Sequence, residues 1–233
     1  MTRTDRLSTV PSWEKAKAQI QEKLNGNLPE RERLEQFRQQ DWWYTDGQYE
    51  DHGAPHQARV LVYVNEGLSA LAKRDIVFPD IIQKALLWTA VTHDTQVKRG
   101  HYKTHGLDAA RWVGVHLGEA MDRETRFLTQ YYCMNHGLED KYLIGQNYVY
   151  DQDLIMVDTG LKLLKDADAV DRVRFSKYSP DYLNENFLRL SITKEILLPT
   201  AQELFSRTKQ KQLPCNQAFD LVFDAAVDMG IVK

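Results

Sequence analysis

The chain has 233 residues, of which 42% are hydrophobic and 27% are charged. This composition is typical of a globular protein, and the chain is long enough to bury a core that needs no disulfide or structural metal for stability. Its formal net charge of -3 argues against a dedicated nucleic-acid-binding protein, because such proteins usually carry a basic excess. Two cysteines, Cys133 and Cys215, are too few for a disulfide framework or a thiolate zinc site.

The first part of the chain predicts two short helices that carry no candidate chemistry. Apolar residues four apart, beginning at Ala16, indicate a helix over 13–24, and a proline then opens a second helix over 30–39. Because residues with candidate chemistry begin only after these helices, we predict an N-terminal helical extension, 1–45, followed by one domain, 46–233.

The remainder of the chain predicts an all-α fold. A loop rich in glycine and proline, 46–55, precedes a long helix over 56–73, and the nearly continuous apolar stretch 81–93 predicts a buried central helix. The segment 146–150 is the nearest approach to a strand, and it is too short to support a sheet. Further helices are predicted over 108–120, 123–135, 152–175, 185–206 and 216–229.

The sequence contains no recognisable targeting or membrane segment. Its N-terminus is charged and lacks the apolar core of a signal peptide, and its apolar stretches are interrupted by charge well before the ~20 residues of a membrane span. We therefore expect a protein of the reduced, cytoplasmic compartment with neither a membrane nor a nucleic acid as partner. Assembly into a homo-oligomer stays open.

The candidate chemistry centres on a His-Asp pair. His93 and Asp94 end the apolar central helix, where a turn of the backbone lets both side chains converge on one ion. Burying an unpaired carboxylate is costly, and a bound metal removes that cost. His56 opens the preceding long helix and Asp168 lies on an apolar one, which completes a set of two imidazoles and two carboxylates. Such a set suits Mn²⁺, Fe²⁺, Co²⁺, Ni²⁺ or Zn²⁺ better than Ca²⁺, and four ligands leave positions open for water and substrate.

The order His56, His93-Asp94, Asp168 resembles the H…HD…D signature of the HD superfamily of metal-dependent phosphohydrolases. The resemblance covers about residues 52–175, and three motifs in order are a far more specific signal than a lone His-Asp pair. The flanking residues that match are His56-x-x-Arg59-Val60, Ala90-Val91-Thr92-His93-Asp94-Thr95 and Lys165-Asp166-Ala167-Asp168-Ala169-Val170.

This resemblance implies an HD-type helical bundle in the domain 46–233, with the four signature residues as metal ligands. It also selects Asp168 over its neighbours Asp166 and Asp171, which the residue pattern alone leaves as competitors. The implied activity is hydrolysis of a small phosphorylated substrate, such as a nucleotide, by a water molecule that the metal activates. His52 is expected to be a loop residue or to support the ligands.

His105 and His136 leave two interpretations open. Two-metal members of the superfamily place additional histidines between the His-Asp pair and the last Asp, so these two side chains would hold a second metal, with Asp94 shared between the ions. In the alternative, one metal is bound, and His105 and His136 face the substrate phosphate and donate a proton to the leaving oxygen. The sequence lacks the paired His-His and the Gly-Tyr-Pro string of HD-GYP phosphodiesterases, which favours one ion and argues against cyclic di-GMP as the substrate.

Positive charge near the metal is needed to bind a phosphoryl group. Lys98, Arg99 and Lys103 follow the His-Asp pair closely and are predicted to line the mouth of the site. Arg59, one helical turn after His56, is a further candidate for substrate binding, with pairing to a carboxylate as its alternative role.

Two other functions compete with hydrolysis. Some HD proteins use two irons and oxygen to cleave C–C or C–P bonds, with six ligands in the order H…HD…H…H…D, an order that this chain satisfies. Iron content and oxygen consumption would distinguish that enzyme. The other competitor is a nucleotide-binding regulatory module with a structural metal, which would bind its ligand tightly without turnover.

Overall fold

A computed structural model describes residues 13–24, 28, 30–44, 48, 50–98, 103–145, 153–209 and 213–233. In this part of the chain the backbone forms nine α-helices and no β-strand, which confirms the prediction of an all-α fold. The helices are α1 (Trp13–Leu24), α2 (Arg31–Glu35), α3 (Ala54–Ala72), α4 (Asp80–Ala90), α5 (His105–His116), α6 (Arg123–Asn135), α7 (Leu154–Val170), α8 (Leu198–Arg207) and α9 (Cys215–Asp228).

Most helices lie where the apolar periodicity places them. Helices α1 and α6 have the predicted bounds, whereas α2 has only five residues in place of the ten predicted over 30–39. The predicted helix 152–175 is divided, because α7 ends at Val170 and a 3₁₀ turn, Asp171–Arg174, follows it. The weak strand candidate 146–150 lies outside the described residues.

The helix predicted over 185–206 begins only after residue 190. The backbone N–H groups of Arg189 and Leu190 both donate to the buried carboxylate of Asp166, at 2.9 and 2.8 Å to Oδ2. These bonds satisfy the backbone N–H groups of the two residues that directly precede the helix. A π-helical turn, Thr193–Leu197, then leads into α8.

Helix α3 forms the centre of the bundle, and its N-terminal end carries His56, one of the predicted metal ligands. It packs against α4, α7, α8 and α9, and nearly all of its side chains are buried. Helices α4, α6 and α7 end close to the point where α3 and α5 begin, as the contacts among their terminal side chains show. The candidate metal ligands therefore come from the ends of helices, rather than from their faces.

The residues before α3 pack onto the same core. Ile20 of α1 and Leu34 of α2 are fully buried, and Gln39 Nε2 donates to Gln57 Oε1 at 2.8 Å. The division of the chain at residue 45 stays a prediction. Among the described residues, no helix has the length and apolar character needed to cross a bilayer.

Glu66 is a buried carboxyl group in the middle of α3. Its Oε1 accepts a hydrogen bond from Thr200 Oγ1 at 3.0 Å, and its Oε2 has no hydrogen-bond partner in the described part of the chain. Burial raises the pKa of Glu66 to about 8, against a small opposing effect of the Thr200 hydrogen bond. The carboxyl group is therefore mainly protonated at neutral pH.

The substitution Glu66→Gln is expected to stabilise the protein more strongly as the pH rises. Since the folded pKa lies above the unfolded value of ~4.3, the folded state holds a proton that the unfolded state has lost, and wild-type stability falls as pH rises towards 8. Glutamine has no proton to lose. Melting temperatures at pH 5, 7 and 9 should show a growing difference from wild type, whereas the exposed control Glu22→Gln should show no such trend. A difference that does not change with pH would contradict this explanation.

Candidate metal centre

Four side chains meet where α3 begins and α4 and α7 end. The first His/Asp group comprises His56, His93, Asp94 and Asp168, whose ligand atoms all lie within 4.8 Å of one another. His56 Nε2 lies 3.4 Å from Asp94 Oδ2 and 3.4 Å from Asp168 Oδ1, and His93 Nε2 lies 3.7 and 3.8 Å from the same two atoms. The structure therefore brings together all four of the predicted metal ligands.

A turn after α4 makes His93 and Asp94 converge. The helix ends at Ala90, three residues earlier than predicted, and Val91 follows with φ -100° and ψ 0°. The next residues form a turn in which the His93 backbone N–H still donates to Thr89 O at 3.0 Å. Adjacent residues of a continuous helix point about 100° apart, so this turn is what allows both side chains to face one location.

Both imidazoles of this group direct Nε2 at its centre. His93 Nδ1 is 3.1 Å from the carbonyl oxygen of Thr89, which accepts its proton, and His56 Nδ1 is 2.8 Å from Asp171 Oδ2. An acceptor at Nδ1 places the proton there and leaves the Nε2 lone pair for a metal. In the described structure the two Nε2 atoms are buried without a hydrogen-bond partner, which is costly unless a cation binds them. The donor set therefore fits a transition metal.

The carboxylates around His56 compensate for its burial. Burial and the charge of Arg174 oppose a positive charge on His56, but Asp168, Asp171 and Asp94 outweigh them and raise the pKa of His56 to about 9. Such a site attracts positive charge, whether a proton or a metal ion. A metal must displace the proton, so its affinity should increase with pH.

A second His/Asp group shares Asp94 with the first. It comprises Asp94, His105 and His136. Asp94 Oδ1 lies 3.2 Å from His105 Nε2 and 3.5 Å from His136 Nε2, and the two Nε2 atoms are 2.8 Å apart. His136 Nδ1 donates to Cys133 O at 2.7 Å, which leaves Nε2 as the unprotonated nitrogen that accepts from His105 Nε2 at 2.8 Å. Asp94 thus presents Oδ2 to the first group and Oδ1 to the second.

The second group depends on a close approach of α5 to α6. A Cβ atom at Gly106 would lie 2.5 Å from the carbonyl oxygen of Cys133, so only glycine lets the first turn of α5 come this near. His105 immediately precedes this glycine and His136 immediately follows α6. The sequence His105-Gly106 therefore delivers its imidazole to Asp94.

The ionisation states suit metal ligands. Burial alone would raise the pKa of Asp94, but the charges of His93 and His52 and hydrogen bonds with His105 and His136 hold it well below its usual range. The pKa of Asp168 is also well below its usual range, because the neighbouring His56 and His93 outweigh the effect of its burial. Burial lowers the pKa of His136, against an opposing hydrogen bond with Asp94, so its ring is neutral.

A cavity of about 540 Å³ opens onto both groups. Asp94, His105, His136 and Asp168 form part of its lining. Its other lining residues include charged and aromatic side chains, namely Asp51, His52, Arg172, Arg174, Phe175 and Asp181. A small molecule that enters this cavity reaches both groups at once.

The predicted cationic residues have different positions. Arg59 is buried and donates Nε and Nη2 to Asp171 at 2.7 and 2.8 Å, so of its two proposed roles the structure shows the pairing with a carboxylate. Lys98 and Lys103 are exposed and are not among the described residues that line the cavity. Arg99 lies outside the described residues. Contacts of these three with substrate stay predictions.

The two competitors of Asp168 have other partners. Asp166 caps the backbone before α8 and also accepts from Thr193 Oγ1 at 2.7 Å, and Asp171 supports His56 from behind. His52, expected in a loop or a supporting role, donates from Nδ1 to Asp94 Oδ2 at 2.7 Å. The family register thus selects the one aspartate of the three that belongs to a His/Asp group.

Sequence reasoning missed the arginines of the cavity. Arg172 and Arg174 follow Asp168 by four and six residues, and both line the cavity. Their proximity to a predicted metal ligand was a usable signal, since one further helical turn brings them near it. The prediction instead took cations that follow the His-Asp pair.

No protein-family model matches the chain, and neither a curated protein nor a solved structure matches it. The helical fold and its His/Asp groups are consistent with an HD-type site. Membership of that family stays a prediction. Function is therefore inferred from the geometry of the two groups.

Proposed function

We propose that the protein is a metal-dependent phosphohydrolase in which each His/Asp group holds one divalent transition metal ion. The observation that carries the proposal is the position of Asp94, which offers a different oxygen to each group where the cavity reaches them. A carboxylate shared in this way is typical of paired metals that act on phosphate esters. The proposal replaces the single ion that the sequence favoured.

The donor chemistry supports two transition metals of the Mn²⁺ to Zn²⁺ series. The two groups together supply four imidazoles and two carboxylates, and this mixture is borderline in hardness. The rings of His56, His93 and His136 have an acceptor at Nδ1 that orients Nε2 as the ligand. Under this proposal His105 and His136 are ligands rather than proton donors.

Ions bound there would lower the pKa of a coordinated water molecule and stabilise charge on the phosphoryl oxygens. The residues of the chain provide ionised ligands for the ions and hold these ligands in place. Asp94 and Asp168 stay ionised at neutral pH, because the surrounding histidines hold their pKa values low. His52 donates to Asp94 Oδ2 and so restricts how the shared carboxylate rotates.

The oxygenase alternative uses the same six side chains, so ligand geometry does not separate it from hydrolysis. The regulatory alternative is less well supported, because a structural metal needs a closed ligand set, whereas a cavity reaches both groups here. Reaction products and oxygen consumption decide between the two enzymes.

The protein, freed of metal and reloaded separately with Mn²⁺, Fe²⁺, Co²⁺, Ni²⁺ or Zn²⁺, is expected to release phosphate from small phosphate esters. The test uses a panel of nucleotides, phosphodiesters and sugar phosphates, with the metal-free protein as control. Activity should persist without oxygen, because hydrolysis needs none. Oxygen consumption that requires iron would favour the oxygenase, and tight nucleotide binding without turnover under any metal would favour the regulatory module.

A further inference from the structure

Asp171 is a fully buried carboxylate behind the first His/Asp group. Its oxygens accept hydrogen bonds from His56 Nδ1 at 2.8 Å, from Arg59 Nε and Nη2 at 2.7 and 2.8 Å, and from the Tyr63 hydroxyl at 3.2 Å. Burial alone would raise the pKa of Asp171, but the charge and hydrogen bonds of Arg59 and the hydrogen bond of His56 hold it below its usual range. Four donors occupy roughly the four lone-pair sites of a carboxylate, so little acceptor capacity remains.

Arg174 has far more donor capacity than its surroundings use. Its side chain is 5% exposed, yet its one ion pair with another described residue is a long contact of 3.4 Å from Nη1 to Asp171 Oδ2. Its Nε is buried and has no hydrogen-bond partner among the described residues. The guanidinium lies over the Phe175 ring, with Cζ 4.4 Å from the ring centroid, which restricts its orientation. A buried guanidinium with unmet N–H groups is costly unless a ligand supplies the acceptor.

Arg174 lines the cavity that reaches both His/Asp groups, and Arg172 lines it too. Of the described lining residues, these two carry permanent positive charge. Asp51 and Asp181 also line the cavity and oppose an anion there. An anionic group is therefore best accommodated next to the arginines and the metal ligands.

We infer that Arg174, assisted by Arg172, is the oxyanion-binding residue of this cavity and that, on the proposed function, it binds the phosphoryl oxygens of the substrate. A guanidinium suits this task because its planar N–H groups match two phosphate oxygens at once. Asp171 acts as the positioning residue, since one carboxylate contacts both His56 and Arg174. Asp171 would then hold both the metal ligand His56 and the substrate-binding Arg174 in position.

Inorganic phosphate is the probe for this inference, and calorimetry on the metal-loaded protein measures its binding. Wild type is expected to bind phosphate, and Arg174→Gln to bind it at least about tenfold more weakly, the cost of a lost hydrogen bond to a charged group. Arg172→Gln should weaken binding less, because that side chain is exposed. Metal content should stay at the wild-type level in both variants, and Arg111→Gln, an exposed control on α5, should match wild type throughout.

Unchanged phosphate affinity in Arg174→Gln, or no phosphate binding by the wild type, would overturn the inference. If Arg174→Gln does not fold, Arg174→Lys and Arg172→Gln decide it, and wild-type affinity in both would overturn it. Because phosphate binding is measured without turnover, a protein that binds phosphate through Arg174 but hydrolyses no ester would refute the proposed function alone.

Discussion

Replacing Asp94 with alanine is expected to abolish metal retention at both His/Asp groups and to reduce kcat/KM for phosphate ester hydrolysis by roughly a thousandfold. Asp94 is the one residue common to the two groups, with Oδ2 facing His56 and Oδ1 facing His105. Its loss removes a negative charge from both groups at once. Elemental analysis after dialysis, together with steady-state kinetics, measures the two effects.

Two further variants show whether Asp94 is shared. His136→Ala removes a ligand of the second group only and should lose about one equivalent of metal, with the first group still filled. Asp158→Ala, which removes a half-buried carboxylate on α7 far along the helix from Asp168, should keep both ions and full activity. Full metal content in Asp94→Ala would contradict the ligand assignment. Full metal content in His136→Ala, with turnover lost, would instead support a single ion with His136 facing the substrate.

The His-Asp pair of the first His/Asp group was predictable because its signal is local, whereas Asp168 was selected by the resemblance to the HD signature. An apolar helix that ends in His93-Asp94 places a carboxylate where burial is unfavourable, and the sequence alone shows that a compensating cation is needed. The helix bounds were predictable for the same reason, since apolar residues repeat with the helical period in α1 and α6. Both inferences depend on residues that are neighbours in the chain.

The second group depends on packing that periodicity does not encode. His105 and His136 reach Asp94 because Gly106 lets α5 approach the carbonyl oxygen of Cys133 closely. The sequence pattern of α5 or α6 does not predict that the two helices approach each other at Gly106. The sequence named both histidines and left their role open between holding a second metal and facing the substrate.

The arginines of the cavity were missed because the prediction took cations that follow the His-Asp pair in the sequence. The chain was expected to remain α-helical to residue 175, but it becomes a 3₁₀ turn over Asp171–Arg174. Successive side chains in a 3₁₀ helix are about 120° apart rather than about 100°, so the orientations of Arg172 and Arg174 depend on a change of helix type that the apolar pattern did not show. Lys98 and Lys103 are close in sequence to the predicted ligand Asp94, but neither is among the described residues that line the cavity.

Asp171→Ala is expected to destabilise the metal-free protein by about 3–5 kcal/mol, the usual cost of removing one partner of a buried ion pair. The variant leaves the guanidinium groups of Arg59 and Arg174 without their carboxylate, and these side chains are only 3% and 5% exposed. Chemical denaturation in the presence of a chelator measures this cost apart from any change in metal binding. Asp171→Asn keeps the shape and some hydrogen bonds but not the charge, so its loss of stability should be smaller.

Adding Arg59→Met to Asp171→Ala separates charge compensation from positioning. The double variant is expected to recover part of the lost stability, because it removes the buried positive charge that the first substitution leaves unpaired. Metal retention should not recover, since His56 Nδ1 still lacks the acceptor that orients its ring. Strictly additive losses of stability would contradict the charge explanation. Recovery of metal binding along with stability would show that Asp171 supports the fold but does not position His56.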